Sequence, residues 1–266
     1  MPWSQDRRRV DKSRNPLWLS SIAQSHQGIA REMVDMTHPT TAPWEAVLFD
    51  MYGTLLHQTG GYKATSEYIA GILGIPIERY SDARLKTYGP ALTGAFPTSA
   101  ARAQSTLRLL GIDGNEHLAE TIAKAEIDHR KRLLEVFPDS EEVLLALEHR
   151  GVPRALVSNA TPEWEVLFNS TGLGRYFDAT VFSFRARSAK PNPAIYRIAL
   201  SEIGAMPERC LFVGDGDDDE LAGAKRLGME TALIARPGHE SPRDSDPKVC
   251  DYRIASLTEL LDVVAE

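Results

Sequence analysis

Short aliphatic runs recur along the chain, at Ala46–Phe49, Arg154–Val157, Thr180–Phe184, Cys210–Val213 and Thr231–Ala235. Each is bounded by turn residues and reads as a buried strand. Between them apolar positions fall at helical spacing over Glu141–His149, Pro162–Thr171, Pro193–Ile203 and Glu220–Leu227. Strands alternating with helices predict an α/β fold, a doubly wound, Rossmann-like parallel sheet. The interval after the first strand breaks this rhythm. Residues 58–134 are far too long for one crossover and carry helical patterns at Tyr68–Leu73, Ala101–Leu110 and His117–Leu134. The expectation is an inserted α-helical cap over the strand tips, acting as a lid. A neutral decoration is the plainer alternative, but the insertion begins only a few residues after Asp50.

Residues 1–43 are polar and mixed in charge, with Pro2, Pro16, Pro39 and Pro43. Leu17-Trp18-Leu19 with Ile22 suits a short amphipathic helix. A mobile extension is expected instead, or a start placed too early, since Met33 and Met36 lie just ahead of the first strand. The expected organisation is therefore an extension over 1–43, a core over 44–57 and 135–266, and a cap over 58–134.

Composition narrows the class without naming a function. The chain is 42% hydrophobic and 25% charged, as globular proteins are. No apolar run approaches the roughly 20 residues of a membrane span. Arg7-Arg8-Arg9 is followed by no apolar region of the kind a secretory signal needs. Two cysteines, Cys210 and Cys250, make no disulfide framework, so a cytoplasmic protein is expected. A net charge of −7 argues against nucleic acid as a partner. A small anionic molecule would need local cations to hold it against that field. A monomer or homodimer is expected.

The chemistry concentrates at strand tips. Asp50 ends the first run and enters the turn Met51-Tyr52-Gly53-Thr54-Leu55. A carboxylate there lies where open α/β sheets bind ligands, although a turn cap would also explain it. Ser158-Asn159 ends the second run; its hydroxyl can donate to an oxyanion, and the pair is also common in turns. Lys190-Pro191 follows the third run, where the ammonium either enters the crevice or is solvated. After the fourth run, Asp215, Asp217, Asp218, Asp219 and Glu220 put five acidic residues in six positions. Helix capping accounts for part of this run. A site for Mg²⁺, which takes oxygen ligands, accounts for more of it.

In this order, Asp50-x-Tyr52-Gly53-Thr54, Ser158-Asn159, Lys190-Pro191 and Gly214-Asp215-Gly216…Glu220-Leu221 resemble the haloacid dehalogenase superfamily over residues 44 to about 260. The resemblance implies a Rossmann-like core with an inserted helical cap and a covalent aspartyl intermediate on Asp50. It implies that Thr54, Ser158, Asn159 and Lys190 serve the transferring group. It also implies Mg²⁺ held by Asp50, the Tyr52 backbone carbonyl, Asp215 and Glu220, with Asp219 a neighbouring candidate.

Tyr52 departs from the pattern. The superfamily's phosphatases usually carry Asp at that place as general acid and base, whereas a phenol titrates near pH 10, about three units above neutrality. The L-2-haloacid dehalogenase branch typically shows Tyr there. Its Lys-Pro-x-x-x-x-Tyr pattern resembles Lys190-Pro191 with Tyr196, and Arg84 is a candidate for its substrate-binding arginine. Asp215 pulls the other way, because metal carboxylates serve no purpose in a metal-free dehalogenase. The expectation is a Mg²⁺-dependent phosphatase acting on a small phosphorylated metabolite. The alternatives are a metal-independent 2-haloacid dehalogenase and a catalytically weak binding homologue.

Other residues read as structural. His57, His117 and His129 lack metal-ligand spacing, and His239 lies in a polar loop. Trp44 and Phe49 read as core. Tyr62, Tyr68, Tyr80 and Tyr88 either line the insertion's inner face or pack within it.

Overall fold

Val47 and Phe49 point to one face of their strand, Ala46 and Leu48 to the other, and all four are fully buried. A strand apolar on both faces has to be covered on both. The computed structural model describes residues 44–113, 115–238 and 250–263. The extension expected over 1–43 and the loop around His239 lie outside the described residues.

The central sheet has six parallel strands in the order β5-β4-β1-β6-β7-β8. These are β1 (Ala46–Phe49), β4 (Arg154–Ser158), β5 (Ala179–Phe182), β6 (Cys210–Gly214), β7 (Glu230–Ile234) and β8 (Tyr252–Ile254). One apolar cluster covers the face of Val47, Phe49 and Val213, the other the face of Leu48, Val157 and Phe212. Because β4 and β6 flank β1, the strand order reverses there. The crevice at such a reversal, beyond the carboxyl ends of the strands, is where α/β sheets take ligands.

The insertion carries α1 (Gly61–Leu73), α2 (Ile77–Lys86), α3 (Tyr88–Leu92), α4 (Ser99–Leu109) and α5 (Glu116–Leu133). Thr98 and Asn115 cap α4 and α5 by accepting from Ala101 N at 3.1 Å and Leu118 N at 2.8 Å. Ile69, Leu107 and Ile122 lie in an apolar cluster of the insertion's own. The chain leaves and re-enters the core through two antiparallel strands, β2 (Leu56–Gln58) and β3 (Leu134–Val136), with His57 opposite Glu135. The core continues through α6 (Pro138–His149), α7 (Pro162–Thr171), α8 (Ser183–Ala186), α9 (Pro193–Ile203), α10 (Glu220–Lys225) and α11 (Thr258–Val263).

Three details differ from the sequence pattern. β2, β3 and β8 are three residues each, too short to show a period. Phe184 belongs to α8, not to a strand, because the apolar run crosses an element boundary. The insertion boundary at 58 and 134 cuts through the β2–β3 pair, so the two crossings act as one paired stalk. Cys210 and Cys250 are free thiols. Among the described residues no helix is long and apolar enough to cross a membrane.

Candidate active site

The ends of β1, β4 and β6 converge. Asp50 follows β1, and its N–H donates to the Val213 carbonyl of β6 at 2.9 Å. Ser158 ends β4, buried. Lys190, also buried, contacts both the Asp50 and the Glu220 carboxylates through Nζ. Thr54 Oγ1 lies 3.5 Å from Asp50 Oδ2, at the limit of a hydrogen bond.

Asn159 works on the backbone rather than on Asp50. Its amide donates to the Lys190 carbonyl at 3.0 Å and to Asp218 Oδ2 at 2.7 Å, and its Oδ1 accepts the Lys190 N–H at 2.7 Å. It therefore fixes the loop that delivers the ammonium. The Tyr196 hydroxyl donates to the Glu220 carbonyl at 2.8 Å, so this buried ring holds the start of α10.

Carboxylate oxygens of Asp50, Asp215 and Glu220 all lie within 4.8 Å of one another. Of the two acidic candidates that end the run, Glu220 turns inward and Asp219 stays exposed. Burial raises the Asp50 pKa, against the opposing pull of Lys190. Burial and then Asp50 push Asp215 up to about 7, and the same causes hold Glu220 well above its ordinary value. Three carboxylates gather here beside one ammonium, which contacts Asp50 and Glu220. Such a cluster must take up protons or a cation. An all-oxygen donor set suits a hard divalent ion such as Mg²⁺.

Glycine makes the approach possible. Gly53 has φ 79°, and a Cβ there would sit 2.1 Å from Asp215 Oδ2. Gly53→Ala should therefore cost about 1–2 kcal/mol in backbone strain alone. That lowers Tm by roughly 2–8 °C for a protein of this size. It should also displace Asp215 and weaken Mg²⁺ binding, which titration calorimetry and a thermal melt would measure together.

Tyr52 packs edge-on against Trp164 at 5.3 Å and lies tilted by 33° to the Tyr62 ring at 6.4 Å. Burial raises its pKa further, so the phenol stays protonated at neutral pH. Trp164 and Tyr62 also line a cavity of about 450 Å³ between the insertion and α7. Tyr80 and Tyr88 join that wall, whereas Tyr68 stacks on His129 at 4.3 Å. Arg84 lies there too, paired with Glu126 and Glu163. Arg102, Arg130, Glu126 and Glu163 escaped the sequence analysis, because charged residues on amphipathic helices ordinarily face solvent; here all four are buried.

The model of the haloacid dehalogenase-like hydrolases matches residues 44–228, more than half of the chain. The chain belongs to the haloacid dehalogenase-like hydrolases. This hydrolase is 34% identical over 164 residues to the glyceraldehyde 3-phosphate phosphatase of Methanopyrus kandleri, covering 60% of this chain and 70% of that protein. It is 29% identical over 227 residues to the pyrophosphatase PpaX of Halalkalibacterium halodurans, covering 82% and 95%. Its fold matches a 2-haloacid dehalogenase from Pseudomonas syringae pv. Tomato with a TM-score of 0.67 at 21% identity, over 83% of this chain and 97% of the other. A HAD phosphatase from Thermococcus onnurineus matches with a TM-score of 0.60 at 24% identity, over 82% and 96%. At those identities the structural likeness concerns the fold alone.

Proposed function

We propose that this hydrolase is a Mg²⁺-dependent phosphatase that cleaves small phosphorylated metabolites through Asp50. The observation that carries this reading is the cluster of buried Asp50 and Glu220 with half-buried Asp215, in which Lys190 contacts Asp50 and Glu220. Relatives named as phosphatases of glyceraldehyde 3-phosphate, phosphoserine and phosphoglycolate support it. We further propose a cytoplasmic monomer or homodimer that binds a small anionic molecule, not nucleic acid or a membrane. Residues 58–134 would act as a cap that selects the substrate.

In this reading an Asp50 carboxylate oxygen attacks phosphorus as the ester P–O bond breaks, and the leaving alkoxide takes its proton from water. Water then attacks the phosphorus of the aspartyl phosphate, releasing phosphate and restoring Asp50. Lys190 favours the ionised form of Asp50 and offsets charge on the transferring group. Ser158 and Thr54 stand close enough to the strand tips to donate to its oxygens. The Tyr52 phenol can donate a hydrogen bond near the leaving oxygen but is a poor base. Mg²⁺, when bound by Asp50, Asp215, Glu220 and the Tyr52 carbonyl, would shield the nucleophile from the anionic substrate and offset charge in the transition state.

Tyr52 and the string around it favour carbon–halogen hydrolysis as the second reading. One assay separates the two. Phosphate release should appear from glyceraldehyde 3-phosphate, phosphoserine, phosphoglycolate or pyrophosphate when Mg²⁺ is supplied, with no halide released from 2-chloropropionate. Halide release that persists in excess chelator, without phosphate release, would overturn the phosphatase reading.

A further inference from the structure

The cavity between the insertion and α7 has a charge that its own side chains do not balance. Arg84, Arg102 and Arg130 line it against two carboxylates, Glu126 and Glu163. Arg84 contacts both carboxylates, Arg102 contacts Glu163, and Arg130 contacts Glu126 at 3.2 Å. At the exposed rim Lys63 and Asp82 add one charge of each sign. One buried guanidinium charge is left over.

The network is also short of partners. Arg84 Nη1, Thr161 Oγ1 and Glu163 Oε2 are buried without an aligned hydrogen-bond partner in the protein, and Thr161 is 0% exposed. Burial and then the neighbouring Arg84 lower the Arg102 pKa, as crowding of like charges does. Each guanidinium touches a carboxylate, but two carboxylates are divided among three guanidiniums, and buried charge that is not fully offset is costly. A single surplus charge matches a carboxylate. A dianionic phosphate would overshoot it.

The cavity also lies beside the nucleophile's loop. Tyr62 and Trp164 belong both to its wall and to the packing around Tyr52, two residues from Asp50. Tyr62 is 49% exposed, so its ring stands at the mouth. It follows Gly60 and Gly61, both at positive φ, where the chain leaves the stalk.

We propose that this cavity receives the alcohol portion of the substrate, and that the preferred substrate is a phosphorylated carboxylic acid whose carboxylate pairs with Arg84 and Arg102. The proposal rests on the phosphatase reading and names the substrate class within it. At about 450 Å³ the cavity suits a small acid.

A matched pair of esters tests it. 3-Phosphoglycerate and glycerol 3-phosphate differ by a carboxylate against a hydroxymethyl group. With the full chain and Mg²⁺, kcat/KM should favour the acid by about ten-fold or more, as a hydrogen bond to a charged group can supply. In Arg84→Met that ratio should fall to within about two-fold of unity, and in Arg84→Lys it should be intermediate, because the ion pair survives without the guanidinium fork. Both esters are assayed on one preparation, so the folded fraction cancels from the ratio. A wild-type ratio near unity, or an unchanged ratio in Arg84→Met, overturns the proposal while para-nitrophenyl phosphate turnover leaves the phosphatase reading standing. Failure to hydrolyse any of the three esters overturns both.

Discussion

Asp50→Asn is expected to lower phosphate release by about 10³-fold or more, the scale on which loss of a nucleophile acts. Asparagine fills the same space at the tip of β1 but offers no anionic oxygen to attack phosphorus. The fold should survive the change. Asp50 shares the Lys190 ammonium with Glu220, Asp215 stands beside them, and burial raises the pKa of all three. Removing one negative charge relieves repulsion, and Lys190 keeps its contact with Glu220. A thermal melt of Asp50→Asn should therefore match the wild type or exceed it. Retention of more than a few per cent of the wild-type rate in a pure preparation would remove Asp50 from the nucleophile's role.

Removing the metal should have the next largest effect. In excess chelator, phosphate release should fall by about 100-fold or more and return when Mg²⁺ is added back, since the ion offsets transition-state charge. Asp215→Asn should raise the Mg²⁺ concentration for half-maximal rate by about 100-fold, because a direct ligand matters at least as much as the outer-shell groups that cost 10–100-fold. Calorimetric titration of Mg²⁺ into the same variant gives a readout independent of turnover. Asp215 lies within 4.8 Å of Asp50 and Glu220, so its loss leaves two carboxylates, and Mg²⁺ binds weakly to so few. Full activity in chelator would remove the metal from the reaction and favour the Tyr52-type dehalogenase chemistry.

The strands and most of the core helices were legible because their signals are local. α7 and α9 run over Pro162–Thr171 and Pro193–Ile203, the limits that their proline starts and apolar spacing indicate. The buried runs of β1, β4 and β6 likewise stand where their aliphatic residues are. The stalk was not legible. Leu56–Gln58 and Leu134–Val136 pair across the whole insertion, and three residues carry no period. The acidic run pointed to a cation site after β6, but not to which side chain turns inward. Glu220 does so because α10 begins there, with its Oε1 accepting the Gly216 N–H at 3.1 Å.

By itself the sequence determined the α/β core, the order of its motifs and the placement of Asp50, Ser158 and Asp215 at strand ends, while it left open whether Lys190, beyond β5 and α8, turns into the crevice. Each of those follows from a few adjacent residues, since a buried strand ends where its apolar run meets a turn. Only the tertiary structure decided what surrounds them. Arg84 and Arg102 reach Glu163 from 79 and 61 residues away, and Asn159 grips the Lys190 backbone from 31 away. No periodicity reports such contacts. Hydrophobic spacing says which face of a helix is covered, and a charged residue inside that spacing reads as solvent-facing until packing buries it. The arginine-lined cavity exists because the insertion's helices lie over α7, and that docking is set by surfaces far apart in the chain.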